Sequence, residues 1–558
     1  MNIRRQIRSA ARNIMKLASS MLETVESAPL SLGNFSITFT MIIIVRILVD
    51  FGTQSFRSEP LSYILYEFSH TYLFFLFSFL MFLPIIRLAG ASSWRRGANL
   101  LLVGFLIIWT PPVIDKLIFG NGLYWSFYEL DGIKGLIVNF FRFFNDNPSI
   151  GITYGVRAEV AIMSIGLGLY AFKKSKEISR ACGIAVLSYL AFYILGTFPS
   201  YIAIPALAAH KGLFAVTNID IAGLMLSPKS FFGNVFADPR MTLGYRMSLV
   251  YSLLITFSLG VFLFKSSKKT FFALLRNVRW PQVIWHGGLL FLGGGIAVLY
   301  AGAEPDFSLF EILSIIVMAV AVECAWLASV IGNDLADRRI DAISNPNRPV
   351  PMHSITETLY RHIGIIFFAT SLLFSAIVNI KAALFLLAYQ AIAWMYSMPP
   401  LRLKRVPVLA TALSALDGIM VLLAGYTVLS PVQNITPIPF SLLVYLFVCY
   451  AVTLPLKDFK DIAGDRSDGV FTIPVIFGEE RARFLIGSAL FACYVASPLV
   501  LHEVGLFLPS LLFGSLAFIS VRRAGQNNNK WSSFRSLPAW NIAFVTLYGL
   551  ITVTILLF

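Results

Sequence analysis

An all-α fold that crosses a membrane many times follows from three features of the sequence. Of its 558 residues 57% are hydrophobic and only 13% charged, the mean hydropathy is +0.76, and the apolar residues come in runs of membrane-crossing length. About 20 consecutive apolar residues cross a bilayer as a helix. Six such runs lie in the first half, near 35–52, 69–89, 98–116, 158–172, 181–204 and 245–264. Nine more follow, near 281–301, 309–332, 361–378, 381–397, 408–429, 438–456, 482–501, 504–520 and 539–558.

The net charge of +15 would suit a nucleic-acid partner, but its placement argues for membrane orientation instead. Dense basic clusters occupy every second connection: Arg4, Arg5, Arg8, Arg12 and Lys16; then Arg87, Arg95 and Arg96; then Lys173, Lys174, Lys176 and Arg180. Lys265, Lys268, Lys269, Arg276 and Arg279 follow. The positive-inside rule therefore puts the N-terminus in the cytoplasm and returns the chain there at about 270–280.

Residues 1–34 are basic and helical in pattern and lack the apolar stretch and small-residue cleavage site of a signal peptide; they read as a cytoplasmic interfacial segment. Residues 35–265 then form a membrane domain of six spans, 266–280 a linker, and 281–558 a second membrane domain of nine. No repeat relates the two. The outer segments 117–157 and 205–244 are long, aromatic and glycine-containing, and read as interfacial or re-entrant. Cys182, Cys324, Cys449 and Cys493 fall in apolar spans without metal-type spacing and read as buried packing residues. The six histidines show no ligand spacing either. Arg46 and Asp50, spaced i and i+4, are expected to neutralise each other.

The chemistry is concentrated in two acidic motifs. One span runs into Asn333-Asp334-Leu335-Ala336-Asp337-Arg338-Arg339-Ile340-Asp341, so its three carboxylates stand at offsets of 3 and 7, one face of a helix. Another runs into Lys457-Asp458-Phe459-Lys460-Asp461-Ile462-Ala463-Gly464-Asp465 with the same offsets. Both spans are even-numbered within the nine, so both motifs emerge on one side of the membrane, the cytoplasmic one. Facing carboxylate clusters repel unless a cation lies between them, and hard oxygen ligands suit Mg²⁺. Mg²⁺ in turn usually bridges carboxylates to substrate phosphates, which points to a diphosphate. Arg348 and Lys457 are placed to stabilise its charge, and Lys404 with Arg405 closes a further cytoplasmic loop after Pro399-Pro400. Glu323 and Asp417 lie inside spans, where a carboxylate usually faces a cavity or a partner; either would suit an acceptor hydroxyl.

These motifs resemble those of the UbiA prenyltransferase superfamily. NDLADRRIDAISNPNRPVP and KDFKDIAGDRSDGVFTIPVIFG are similar to its paired aspartate motifs, over residues about 280–558, and nearest to its chlorophyll synthase and digeranylgeranylglyceryl phosphate synthase branches. A departure is Met352-His353-Ser354, where relatives often carry a Ser-Gly turn. The resemblance implies a nine-helix bundle in which Asp334, Asp337, Asp341, Asp461 and Asp465 hold Mg²⁺ on an isoprenyl diphosphate, helped by Asn333 and Asp458. It also implies that Tyr396 and Lys404 line the diphosphate pocket beside Arg348 and Lys457. The product is then a prenylated lipid or aromatic acceptor. Other readings of the same scaffold are a terpene cyclase, a phosphoribosyl-transferring relative, or a transporter or lipid-binding protein whose second half is not catalytic. Asn345-Pro346-Asn347-Arg348 lacks the His-Pro and Lys-Arg element of the phosphoribosyl branch, and intact aspartates argue against a non-catalytic half.

Overall fold

The computed structural model describes residues 13, 16–17, 19–53, 61–120, 127–145, 151–227, 230–231, 234–235, 239–305, 307–338, 348–349, 355–406, 408–431, 434–460, 462, 466, 469, 471–525 and 536–557. Among them are 15 helices long and apolar enough to cross a membrane, each at an expected place. The all-α expectation is borne out; the β-pairing among the described residues, Ser230–Phe231 with Asn234–Val235, is two residues long on each side. The chain divides into two compact units, residues 1–229 with 235–259, and 230–234 with 260–558.

The first six crossings are Leu32–Thr53, Tyr66–Ala89, Trp94–Phe119, Tyr154–Ser175, Ile178–Gly196 and Met241–Ser266, the last of which begins in the first unit and ends beyond residue 259. The third is composite: the 3₁₀ turn Phe105–Trp109 separates Trp94–Gly104 from Thr110–Phe119, because Pro111 and Pro112 supply no N–H and sit where a new helix begins. The fifth is shorter than the sequence suggests. It stops at Gly196, and a separate helix, Phe198–Lys211, starts with Pro199 in its first turn.

That break receives residues 129–131 of the segment 117–157, which the sequence reads as interfacial or re-entrant. The Glu129 N–H donates to the Gly196 carbonyl and the Asp131 N–H to Ser200 Oγ, which satisfies backbone groups that lipid could not. Tyr128, Leu136 and Phe144 of the segment are buried, and the Tyr128 hydroxyl lies 2.7 Å from His70 Nε2 and 3.0 Å from the Tyr251 hydroxyl. Asn139 Nδ2 donates to both Glu129 and Asp131; burial, and then the Asp131 charge, push the Glu129 carboxyl up to about 7.

Arg46 and Asp50 pair at 3.1 Å, as their spacing predicts, and Asp115 ties the third crossing to the fourth by accepting from Thr153 Oγ1 and the Gly155 N–H. The N-terminal segment is more than interfacial. Residues 19–27 are helical, and the buried Glu26 pairs with Lys174 at 2.7 Å and accepts from the Tyr170 hydroxyl. Cys182 corrects the reading of all four cysteines as buried: it is exposed on the helix Ile178–Gly196, and all four thiols are free.

Among the described residues the second unit holds nine helices of crossing length. Trp280–Ala301 and Leu409–Leu429 touch backbone to backbone: a Cβ on Gly293 would stand 1.9 Å from the Leu422 carbonyl, and one on Gly425 2.0 Å from that of Leu290. Small residues at such a crossing take the place that apolar driving force has in water. Ile296, Leu422, Tyr426 and Leu442 pack around it, while Leu456, Leu490, Phe513 and Val521 form a second core among the last helices. The segment read as a linker is built into this unit as an amphipathic helix, Lys268–Arg276, capped by Ser267 Oγ.

Candidate active site

The helix Leu309–Ala336 begins in a capping box between Ser308 and Glu311 and runs 28 residues. At 1.5 Å per residue that is about 42 Å, longer than a hydrocarbon core of about 30 Å. Its last turn, with Asn333 and Asp334, therefore reaches the membrane surface, and Asp337 forms its C-cap.

Asp334 is 2% exposed and its carboxylate is filled by four donors. Arg279 Nη2 at 3.0 Å and Arg348 Nη1 at 3.1 Å donate to Oδ1; Asn277 Nδ2 at 2.8 Å and the Tyr360 hydroxyl at 2.9 Å donate to Oδ2. A carboxylate offers about four lone-pair positions. A charge this deep is tolerated because two guanidiniums neutralise it.

Asp337 faces a different pair. It is 12% exposed, accepts from Arg402 Nη2 at 2.6 Å and is paired with Lys404 Nζ. Lys404 also donates to Asn333 Oδ1 at 3.0 Å, where Ser397 Oγ donates at 3.1 Å. Arg402 reaches Asp337 because its backbone turns left-handed, φ 43°, between the helix Ile380–Ser397 and the 3₁₀ turn Leu403–Arg405. The three polar residues at the end of one helix are thus knit to three other chain segments by Arg279, Arg348, Arg402 and Lys404.

Of the residues singled out from the sequence, Asn333, Asp334, Asp337, Arg348 and Lys404 come together here. Tyr396 is half-buried one position before Ser397 and makes no side-chain hydrogen bond among the described residues. Lys457, exposed, and Asp458, half-buried, lie on the 3₁₀ turn Leu454–Lys460. Asp341, Asp461 and Asp465 lie outside the described residues, and among the described ones no three His, Cys, Asp or Glu side chains gather to hold a metal. Sequence reasoning missed Asn277, Arg279, Tyr360, Ser397 and Arg402. Arg279 was visible only as a member of a basic cluster.

Fold and site define a polytopic helical membrane protein with a charged polar mouth at one end of its second bundle. Residues 289–547, just under half of the chain, match the model of the UbiA prenyltransferase family. The chain is 28% identical over 179 residues to the digeranylgeranylglyceryl phosphate synthase of Thermococcus sibiricus, an overlap of 30% of this chain and 57% of that protein. It is 27% identical over 244 residues to the 33 kDa chain of the bacteriochlorophyll synthase of Rhodobacter capsulatus, 42% of this chain and 74% of that one. A solved UbiA homolog from Archaeoglobus fulgidus bound to DMAPP and Mg²⁺ aligns with 22% identity and a TM-score of 0.37, over 49% of this chain and 98% of that one.

Proposed function

We propose that the second unit transfers a prenyl group from an isoprenyl diphosphate to a lipid or aromatic acceptor and releases diphosphate. The observation that carries the reading is the convergence of Arg279, Arg348, Arg402 and Lys404 on Asn333, Asp334 and Asp337 at the mouth of a membrane-embedded bundle. Prenyl-transferring relatives and the family support it.

The residues divide the work. Asp337 presents a hard oxygen donor at the mouth, which fits Mg²⁺, and we assign the ion to Asp337 with Asp341, Asp461 and Asp465, helped by Asp458. Asp334 has its acceptor positions filled, so its part is to hold Arg279 and Arg348 in place. Mg²⁺, when bound, neutralises charge on the leaving diphosphate. Arg348, Arg402, Lys404 and Lys457 stabilise the same growing negative charge, Asn333 fixes the Lys404 ammonium, and the apolar spans keep water from the allylic cation. The test is to incubate purified protein with Mg²⁺, a panel of prenyl diphosphates and a membrane lipid extract, and to identify products by mass spectrometry. Prenylated product is expected; diphosphate release no greater than in EDTA, with every donor, would overturn the reading.

The mouth is assigned to the cytoplasmic face, on the basic clusters and the even number of spans before residue 280. A single cysteine at Ala342, in a background without the native four, is expected to react with an impermeant maleimide only from the cytoplasmic side. Labelling only from outside would invert the topology.

A further inference from the structure

Two carboxylates sit in the middle of the second unit, away from the mouth. Glu323 lies 11 residues before Asp334 on Leu309–Ala336, about 16 Å along the helix axis, and Asp417 lies 8 residues into Leu409–Leu429, about 12 Å. Neither has an ion-pair or hydrogen-bond partner among the described residues, and Glu323 Oε2 and Asp417 Oδ1 are buried without one. Both residues are half-buried rather than fully enclosed. A carboxylate at a helix centre is costly in a bilayer, and a pair of them without a cation is hard to account for as packing.

Their surroundings are one cluster of aromatic side chains. The buried Tyr389, from Ile380–Ser397, lies within electrostatic reach of Glu323, Asp417 and Tyr450 and against Ser329. His286 stacks at 4.9 Å on Trp326 and meets Tyr389 edge-on, and Trp285 stacks on Tyr450 at 5.4 Å. Tyr450 is pressed over the backbone of the Asp417 helix: a Cβ on Gly418 would stand 2.2 Å from its ring. Five helices therefore turn flat aromatic walls and two unpaired carboxylates towards each other one to three turns below the mouth.

We infer that this cluster forms the wall of the acceptor site and that the site takes an uncharged, hydroxyl-bearing acceptor, with Asp417 as the group that receives the hydroxyl proton and Glu323 as the hydrogen-bond acceptor that orients the molecule. The inference rests on the proposed prenyl transfer. In the step, the allylic C–O bond breaks and the diphosphate leaves with the bonding pair. A lone pair of the acceptor oxygen forms the new C–O bond, and the hydroxyl proton passes to the Asp417 carboxylate. Asp417 is assigned the proton because it lies nearer the mouth, where the allylic carbon adjoins the diphosphate. An anionic head is disfavoured here, since a low-dielectric interior without a cation beside either carboxyl group among the described residues gives a further negative charge nothing to pair with.

The experiment uses the full chain in detergent with Mg²⁺ and radiolabelled geranylgeranyl diphosphate. Membrane lipids are divided by anion exchange into neutral and anionic pools, and diphosphate, free prenol and prenylated lipid are measured separately. Label is expected in the neutral pool. In Asp417→Asn and Glu323→Gln, the fraction of released diphosphate matched by prenylated lipid is expected to fall at least about tenfold in favour of prenol, the scale of a lost general base. Asp417→Glu should restore part of it, and the acid limb of the transfer pH profile should vanish in Asp417→Asn. Wild-type partition in both variants, or equal labelling of the anionic pool, would overturn the inference while leaving prenyl transfer intact. Absence of any metal-dependent diphosphate release from the wild-type protein would overturn both.

Discussion

Asp337→Asn is expected to lower metal-dependent diphosphate release by about two orders of magnitude or more, the scale of losing one preorganised charge-stabilising group, while the protein stays folded. The side chain stands at the end of a helix, 12% exposed, outside the packed cores, and its carboxylate holds both Arg402 and Lys404. The amide keeps the shape and loses the charge, so a ligand is removed from the mouth and two cations lose their common anchor together. Asp334→Asn is expected to fail differently. Its carboxylate is buried between Arg279 and Arg348, and breaking such a pair by changing one partner costs about 3–5 kcal/mol because the other charges stay behind uncompensated. Steady-state diphosphate release together with detergent size-exclusion chromatography separates the outcomes. Asp337→Asn should give a monodisperse, inactive protein and Asp334→Asn a depleted or aggregated one. Full activity in Asp337→Asn, or an aggregated Asp337→Asn beside a healthy Asp334→Asn, would reverse the roles assigned to the two aspartates.

The contrast between these neighbours shows how far the sequence could be read. Every crossing was visible because bilayer thickness fixes the length of an apolar helix, and the 3-and-7 spacing of acids marked the ends of two of them. Spacing could not show that Asp334 and Asp337, one turn apart, address different partners, since that depends on the segments that fold back over the mouth. Arg279 and Asn277 sit in a basic stretch that membrane orientation already explains, so nothing in their local sequence singles them out. Tyr360 lies in the first turn of an apolar span and carries no mark of its 2.9 Å bond to Asp334. The neighbouring pair Tyr396 and Ser397 is a matter of helical phase: one residue of rotation decides which side chain meets Asn333, and it is Ser397 that does. The break at Gly196 was hidden for a related reason, because Pro199 lies within a run that stays apolar through both helices.

Placing Asn277 and Arg279 on Asp334 sharpens what a self-sufficient catalytic fragment must contain. A division at residue 280 would follow the hydropathy profile, since the first apolar helix of the second unit is Trp280–Ala301. The second unit in fact takes in 260–558, and the helix Lys268–Arg276 exists to carry Asn277 and Arg279 to the mouth. A fragment of residues 260–558 is expected to be monodisperse in detergent and to release diphosphate from a prenyl diphosphate with Mg²⁺. A fragment of residues 280–558 keeps all nine crossings but strips two of four donors from a buried carboxylate, leaving Arg348 and Tyr360. Each lost hydrogen bond to a charged group is worth about 1.5–3 kcal/mol, so this shorter fragment is expected to lose activity at least tenfold or to aggregate. The pair of fragments tests whether the stretch before Trp280 belongs to the catalytic machinery or only connects two membrane domains. Equal activity of the two would show that Arg279 and Asn277 are dispensable. A folded 260–558 that releases nothing until residues 1–259 are co-expressed would show that the first unit supplies part of the active site, and the assignment of the chemistry to the second unit alone would fall.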